Sequence, residues 1–166
     1  MTARIIDFQK AANARQRDRE GNAPTAPGSV RWNYHERHDG KRAVIMDWKQ
    51  TVQMALRIKM DRALHQLRHM PKIHWHKPAP ASSIGDHIYV IRLTDQTGKQ
   101  IRVFGHFHDP HQAFVMTFVG HEKGGKYAPA NYQAVALRHR DHCSEDFQVR
   151  TRPHGNHCDL CPDCNA

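Results

Sequence analysis

Between residues 52 and 70 an apolar side chain recurs at every third or fourth position, with charged and polar residues on the opposite side. The apolar positions are Val52, Leu56, Met60, Ala63, Leu67 and Met70. This period is typical of an amphipathic helix. Asp47 and Gln50 resemble a capping box, and Pro71 closes the run. The pattern predicts one long helix between Asp47 and Pro71.

Two strand-like segments, VRWNYHE and RAVIMD, lie on either side of Asp39 and Gly40. A tight hairpin turn needs a residue that tolerates positive φ, and an Asp-Gly pair provides one. We therefore expect an N-terminal β-hairpin over residues 30–47.

Three further strand-like segments occupy residues 87–93, 101–108 and 113–119. Their links are short and rich in turn residues, so the three strands should form an antiparallel meander. Pro129 suits the first turn of a short helix through residues 131–140, and the chain after Asp141 has the composition of a loop. The predicted fold class is α+β: an antiparallel β-meander packed against a long N-terminal helix, with a short C-terminal helix and a metal-binding tail.

Composition divides the chain into three parts. Residues 1–29 are polar, charged and then rich in Ala, Pro and Gly, which predicts a flexible basic arm. Residues 30–140 hold the predicted hairpin and globular core. Residues 141–166 contain all four cysteines and form a predicted zinc-binding tail.

Charge indicates the partner, since the 166 residues carry a formal net charge of +9 and include 15 histidines. Such a surface favours nucleic acid, and an acidic protein partner is the alternative. No apolar run approaches the roughly 20 residues of a membrane span. Asp7 and Lys10 interrupt the stretch that a signal peptide would need. We expect a cytoplasmic protein without a membrane partner.

The cysteines favour a structural zinc site. Cys158, Cys161 and Cys164 are spaced by two residues, a spacing typical of zinc knuckles. A tetrahedral ion needs a fourth ligand, for which we favour Cys143 because a distant ligand ties the tail to the core. The alternative fourth ligands are His142, His154 and His157. An iron–sulfur cluster and a metal-free tail also remain open.

The segments IYVIRL, QIRVFGHF and FVMTFVGHEKGGKYAPANYQAVALRH, in this order, resemble the RelE/HigB family of bacterial toxins and their phage-encoded relatives. The resemblance covers about residues 45–140 and follows the order helix, connector, meander, basic loop, short helix. It implies the toxin of a toxin–antitoxin system: an endoribonuclease that cleaves messenger RNA at the ribosome and is inhibited by an antitoxin protein. The implied chemistry needs no metal, because the RNA 2′-hydroxyl attacks the adjacent phosphate.

The resemblance also implies roles for individual residues. Arg102 would stabilise phosphate charge, and Arg92 and Arg138 would bind RNA. Lys123 and Lys126 of the basic loop would bind or polarise the phosphate. Tyr132 would stack on a base or help to move a proton. The candidates for proton transfer are His106, His108 and His121.

Two other functions fit the same sequence. One is a non-catalytic, zinc-containing nucleic-acid-binding protein. The other is a gyrase inhibitor of the ParE type, because ParE toxins share this fold and cleave no RNA. Two features depart from the family pattern: the second strand reads GHFH, and the chain adds an N-terminal arm and hairpin and a C-terminal cysteine tail to the core.

Overall fold

A computed structural model of the chain describes residues 31–40, 42–76 and 80–154. This part of the chain forms one mixed sheet of eight strands. The strands are β1 (Asn33–Asp39), β2 (Arg42–Ala43), β3 (Ala81–Gly85), β4 (Ile88–Thr94), β5 (Gln100–His108), β6 (Ala113–Lys123), β7 (Lys126–Ala128) and β8 (Thr151–Pro153). The α-helices are α1 (Val44–Thr51), α2 (Met54–Arg68), α3 (Tyr132–Glu145) and α4 (Phe147–Arg150). Two 3₁₀ helices cover Lys72–His76 and Asp109–His111. The predicted α+β class is confirmed.

The antiparallel meander is confirmed as strands β4, β5 and β6. Val90, Phe104 and Phe118 are register partners across it. A bulge after Phe104 shifts the register at Gly105, where a Cβ atom would lie 2.5 Å from the carbonyl oxygen of Val115. Glycine is therefore required at this close approach of the two strands.

The N-terminal hairpin is only partly as predicted. Gly40 has a φ of 59°, as the turn requires, but β2 has only two residues. The following residues form helix α1, because the carboxylate of Glu36 accepts the backbone N–H groups of Ile45 and Met46 at 2.7 and 2.9 Å. A carboxylate in this position caps the positive end of a helix. The capping box predicted at Asp47 is wrong, since α1 begins at Val44.

Strand β1 also joins the main sheet, which the sequence did not indicate. It pairs in parallel with β6 and antiparallel with β8. The order across the sheet is β2-β1-β6-β5-β4-β3, with β7 beside β6 and β8 beside β1.

The single long helix is wrong, since the chain forms α1 and α2 with a break at Val52. Val52 is extended, with φ −106° and ψ 161°. Arg57 donates to the carbonyl oxygens of Gln50 and Val52, and Lys49 of α1 bonds Asp61 of α2 at 2.6 Å. These contacts satisfy the carbonyls at the end of α1 and fix the angle between the helices.

The sheet is the middle of three layers. On one face it packs against α2 and Trp75, in a core that includes Leu56, Met60, Ile91 and Val103. On the other face it packs against α3, whose buried Ala136 belongs to one core cluster with Val90, Phe104 and Phe118.

The loop predicted after Asp141 is also wrong. Helix α3 continues to Glu145 and is followed by α4 and β8. Cys143 and Phe147 are buried against the sheet residues Ala113 and Val115, and this burial orders the segment. The predicted arm and Cys158, Cys161 and Cys164 lie outside the described residues.

Candidate functional site

Polar side chains gather at one end of the sheet, on the face that carries α3. Arg92 and Arg102 are register partners, and Glu122 pairs with Tyr127 one step further along. Paired residues share a face and side chains alternate along each strand, so all four lie on the same face. With Tyr132 at the start of α3, they form what we call the arginine–glutamate site.

Arg102 is fully engaged within this site. Its Nε and Nη2 atoms donate to Oε2 of Glu122 at 2.9 and 2.7 Å, and Nη2 also donates to Oε1 of Gln100 at 3.1 Å. Its Nη1 atom donates to the carbonyl oxygens of Ile101 and Leu93 at 2.8 and 3.3 Å. Because all three nitrogens are occupied, this guanidinium is an anchor for Glu122. That differs from the open phosphate ligand that the family resemblance suggests.

Glu122 is the accessible member of the pair, with 24% of its side chain exposed against 6% for Arg102. The sequence pattern indicated His121, Lys123 and Lys126 in this segment, but neither Glu122 nor Tyr127. The alternation of side chains along a strand could have indicated Glu122. Gly120 and Glu122 lie on one face of β6 and His121 lies on the other. Because Gly120 is the register partner of Arg102, Glu122 shares the face of Arg102.

The two tyrosines form an aromatic wall beside Glu122. The rings of Tyr127 and Tyr132 have centroids 4.7 Å apart, and each lies 5.8 Å from the ring of Phe104. Phe104 is itself stacked on Phe118 at 4.3 Å. The buried phenylalanines fix the half-buried tyrosine rings, which are suited to stack on a nucleic-acid base.

Two guanidinium groups lie next to each other in the site. Arg92 and Arg102 are like charges directly opposite each other, an arrangement that is unfavourable without an anion. Glu122 offsets one of the two charges. Guanidinium groups present paired donors to phosphate oxygens, so two of them side by side suit the binding of a phosphate.

The structure places three predicted residues on the other side of the sheet. His121 is exposed and pairs with Ile101 and Ala128, on the face opposite Arg102. Lys123 and Lys126 are exposed register partners at the tip of the β6–β7 hairpin, on that same opposite face. They share a hairpin with Glu122 but do not surround Arg102.

His106 lies on the face of Arg102 but further along β5, about 13 Å away at the usual rise of a strand. It is 1% exposed, and within the described part of the chain neither ring nitrogen has a hydrogen-bond partner. Burial, followed by the charges of His108 and Arg140, lowers the pKa of His106 to about 3. The ring is neutral and enclosed at pH 7, which argues against the predicted role in proton transfer. Arg138 is exposed on α3, about 9 Å along the helix from Tyr132.

Two of the possible zinc ligands lie in the core. Cys143 is buried, and burial is the main cause that raises the pKa of its thiol to about 11. Zinc binds the thiolate, so this environment argues against Cys143 as the fourth ligand. His154 is also buried and donates through Nδ1 to Glu36 at 2.9 Å.

Across residues 31–40, 42–76 and 80–154, no three His, Cys, Asp or Glu side chains form a group that could hold a metal ion. The other possible fourth ligand in this part of the chain is the half-buried His142, whereas His157 lies beyond it. A zinc ion bound by the terminal cysteines therefore stays a prediction.

No protein family, curated protein or solved structure matches the chain. Within the described residues, no helix is both long enough and apolar enough to span a membrane.

Proposed function

We propose that this protein is a metal-independent endoribonuclease that resembles the RelE/HigB toxins and cleaves RNA at the arginine–glutamate site. One observation carries the proposal: a partly exposed carboxylate, Glu122, is held by a buried arginine beside a second arginine and two tyrosines. Cleavage of RNA without a metal needs a base, an acid and a cation, and this group provides all three.

In the proposed reaction Glu122 accepts the proton of a ribose 2′-hydroxyl. The 2′-oxygen then attacks the adjacent phosphorus, and the bond from phosphorus to the 5′-oxygen breaks. The phenol of Tyr127 or Tyr132 supplies a proton to the departing 5′-oxygen. The products are a 2′,3′-cyclic phosphate and a 5′-hydroxyl. Arg92 stabilises the negative charge that develops on the phosphate oxygens.

Arg102 acts as a positioning residue in this scheme. Its two bonds to Oε2 of Glu122 hold the carboxylate in a fixed orientation. The proposal thus changes the role that the resemblance implies for Arg102 and assigns the direct contact with phosphate to Arg92.

The surrounding basic residues extend the proposed RNA-binding surface. His121, Lys123 and Lys126 on the hairpin and Arg138 on α3 are all exposed. The three hairpin residues lie on the opposite face of the sheet from Glu122, so in this proposal they bind RNA that passes around the hairpin, beyond the cleaved bond. The same proposal includes messenger RNA, the ribosome and an antitoxin protein as partners, a cytoplasmic location, and a structural zinc ion in the cysteine tail.

The direct test uses a labelled RNA oligonucleotide in two settings: without ribosomes in a buffer that contains a chelator, and with intact ribosomes in a buffer that contains Mg²⁺. We expect fragments that end in a 2′,3′-cyclic phosphate. A matched oligonucleotide with a single 2′-deoxynucleotide at the cleaved position should stay intact there. Lack of cleavage in both settings would contradict the proposed endoribonuclease activity.

Two alternative outcomes identify the rival functions. RNA binding with a steep dependence on salt, but without cleavage, would indicate the non-catalytic nucleic-acid-binding protein. Inhibition of gyrase supercoiling by the purified protein, with RNA left intact, would indicate a toxin of the ParE type.

A further inference from the structure

One side of helix α3 leads from the arginine–glutamate site toward the β1–β2 hairpin. Tyr132 and His139 both lie on this side, because they are separated by about two helical turns. The ring of Tyr132 lies 4.7 Å from that of Tyr127 on β7, and the ring of His139 lies 6.0 Å from that of Phe118 on β6. This side of α3 therefore passes from β7 across β6.

The sheet is interrupted next to this side of α3. Strand β1 pairs with residues 113–116 of β6 and β7 pairs with residues 121–123, both on the edge of β6 away from β5. Within the described part of the chain, residues 117–120 therefore have no strand beside them on that edge. Arg37 of β1 reaches into this gap, where its Nε atom donates to the carbonyl oxygen of Thr117 at 3.0 Å. A guanidinium group on a side chain that is 14% exposed thus forms one wall of the gap.

Arg37 and Arg42 share the face of the sheet that carries α3. His35 pairs with Val115, which belongs to a core cluster with residues of α3 and α4. Side chains alternate along a strand, so Arg37 lies on the same face as His35. Arg42 of β2 pairs with Asp39 and is exposed on this face. Together with two residues of α3, these arginines form what we call the basic strip: Arg37, Arg42, Arg138 and His139.

The charges that act on His139 are mostly positive. Burial is the main cause that lowers the pKa of its ring to about 4, followed by the charges of Arg37 and Arg138, to which His142 adds. Asp39 acts in the opposite direction. The like charges of the strip repel one another, and a phosphate bound among them would remove this repulsion. The ring of His139 is neutral at pH 7 and half-buried, so it is suited to stack on a base.

We propose that the basic strip binds a single strand of RNA that continues from the arginine–glutamate site along α3. The three arginines contact its phosphates, and the ring of His139 stacks on one of its bases. His139 lies about 10 Å along the helix from Tyr132, so the strip begins where the aromatic wall ends. A duplex keeps its bases stacked on one another and could not offer one to His139. This role rests on the proposed function, which it deepens by giving the path of the substrate.

The test is fluorescence anisotropy of a labelled single-stranded RNA whose 2′-hydroxyl groups are all methylated, which prevents cleavage. Binding to the full-length chain is measured over a series of salt concentrations. Arg42→Gln and Arg138→Gln should each weaken binding several-fold and reduce the salt slope by about 0.7, the share of one phosphate contact in a single strand. His139→Ala should weaken binding roughly tenfold with little change in the slope, because stacking releases no counterions.

Arg62→Gln is the matched control, because Arg62 is exposed on α2, against the opposite face of the sheet. It should bind as the wild type does, with the same slope. Absence of binding by the wild type, an unchanged slope in Arg42→Gln, or equal affinity for a duplex of the same sequence would overturn the proposed path.

The probe cannot be cleaved, so this outcome is independent of the nuclease assay. Failure of the strip would leave cleavage at Glu122 to its own test. Lack of cleavage in that assay, with the expected changes in binding, would leave the strip intact.

Discussion

The Nε and Nη2 atoms of Arg102 both donate to the same oxygen of Glu122, at 2.9 and 2.7 Å. The arginine is buried and the glutamate is partly exposed, so the pair connects the core of the sheet to its surface. The buried guanidinium thus fixes the position of an accessible carboxylate, which is what the proposed transfer of a proton to Glu122 requires.

Gly120 controls how closely strand β7 approaches this pair. A Cβ atom at Gly120 would clash with the carbonyl oxygen of Ala128 and lie 3.1 Å from the ring of Phe104. We expect Gly120→Ala to displace β7 together with Tyr127, and so to lower both the melting temperature and the rate of RNA cleavage.

Gly105→Ala serves as the comparison for Gly120→Ala. It creates a similar clash, 2.5 Å from the carbonyl oxygen of Val115, but on β5 away from Tyr127. Both variants should melt at lower temperature by circular dichroism, whereas only Gly120→Ala should slow cleavage per folded molecule. Equal slowing in both would contradict the role assigned to β7.

Glu36 joins the two ends of the described chain. It is 1% exposed, accepts from His154 at 2.9 Å and caps the first residues of α1. Removal of one partner from a buried pair leaves the other uncompensated, so Glu36→Gln should lower the unfolding free energy by about 3 kcal/mol. Urea denaturation measures this loss, and Glu145→Gln, at an exposed acid, should change it little.

The same pair predicts sensitivity to acid. Burial alone would raise the pKa of Glu36, but the hydrogen bond and charge of His154 and the N–H groups of Met46 and Ile45 together lower it. A carboxyl with a lowered pKa in the folded state stabilises the protein above its ordinary pKa of 4.5. That stability is lost as the pH falls through the folded value, and Glu36→Gln should not show this loss.

His106 adds a second, separable response to acid. Its pKa is lowered from 6.5 to about 3, so only the unfolded chain gains this proton as the pH falls below 6.5. Between about pH 7 and pH 4.5 this group should remove about 3 kcal/mol of stability. In His106→Leu the unfolding free energy should fall less over that interval. The exposed residue His87, changed to Leu, provides the control, and identical pH profiles for His106→Leu and wild type would contradict the burial argument.

Because Cys143 is buried, we expect a zinc ion in the cysteine tail to be bound without it. If the terminal cysteines bind an ion, Cys143→Ala should retain it, whereas Cys161→Ser should lose it. Elemental analysis of the purified proteins measures both. Loss of the zinc in Cys143→Ala would instead indicate that Cys143 is the fourth ligand. The end of α3 would then have to open to expose the buried thiol.

The meander could be predicted because short links join strands whose side chains face buried layers. The break between α1 and α2 could not, since Val52 continues the helical period of the apolar residues. That break depends on tertiary contacts, among them the bonds of Arg57 to carbonyl oxygens and the pair of Lys49 with Asp61.

The two ion pairs of Glu36 and Glu122 could not be predicted from the sequence for a related reason. Glu36 and Glu122 are ordinary acids in sequence, and their partners lie 118 and 20 residues away. Arg102 could be predicted as a site residue from the strand that contains it. Only the register of β5 with β6 shows that Glu122 lies on the same face of the sheet as Arg102.

The most direct test of the account is the rate of RNA cleavage by Glu122→Gln under single-turnover conditions. Glutamine retains an oxygen that can accept from Arg102 but cannot take a proton from the 2′-hydroxyl, so the rate should fall roughly a hundredfold or more. Glu145→Gln, with the same change of charge on an exposed residue of α3, should cleave at the wild-type rate. Equal rates in wild type and Glu122→Gln would contradict the assignment of Glu122 as the base.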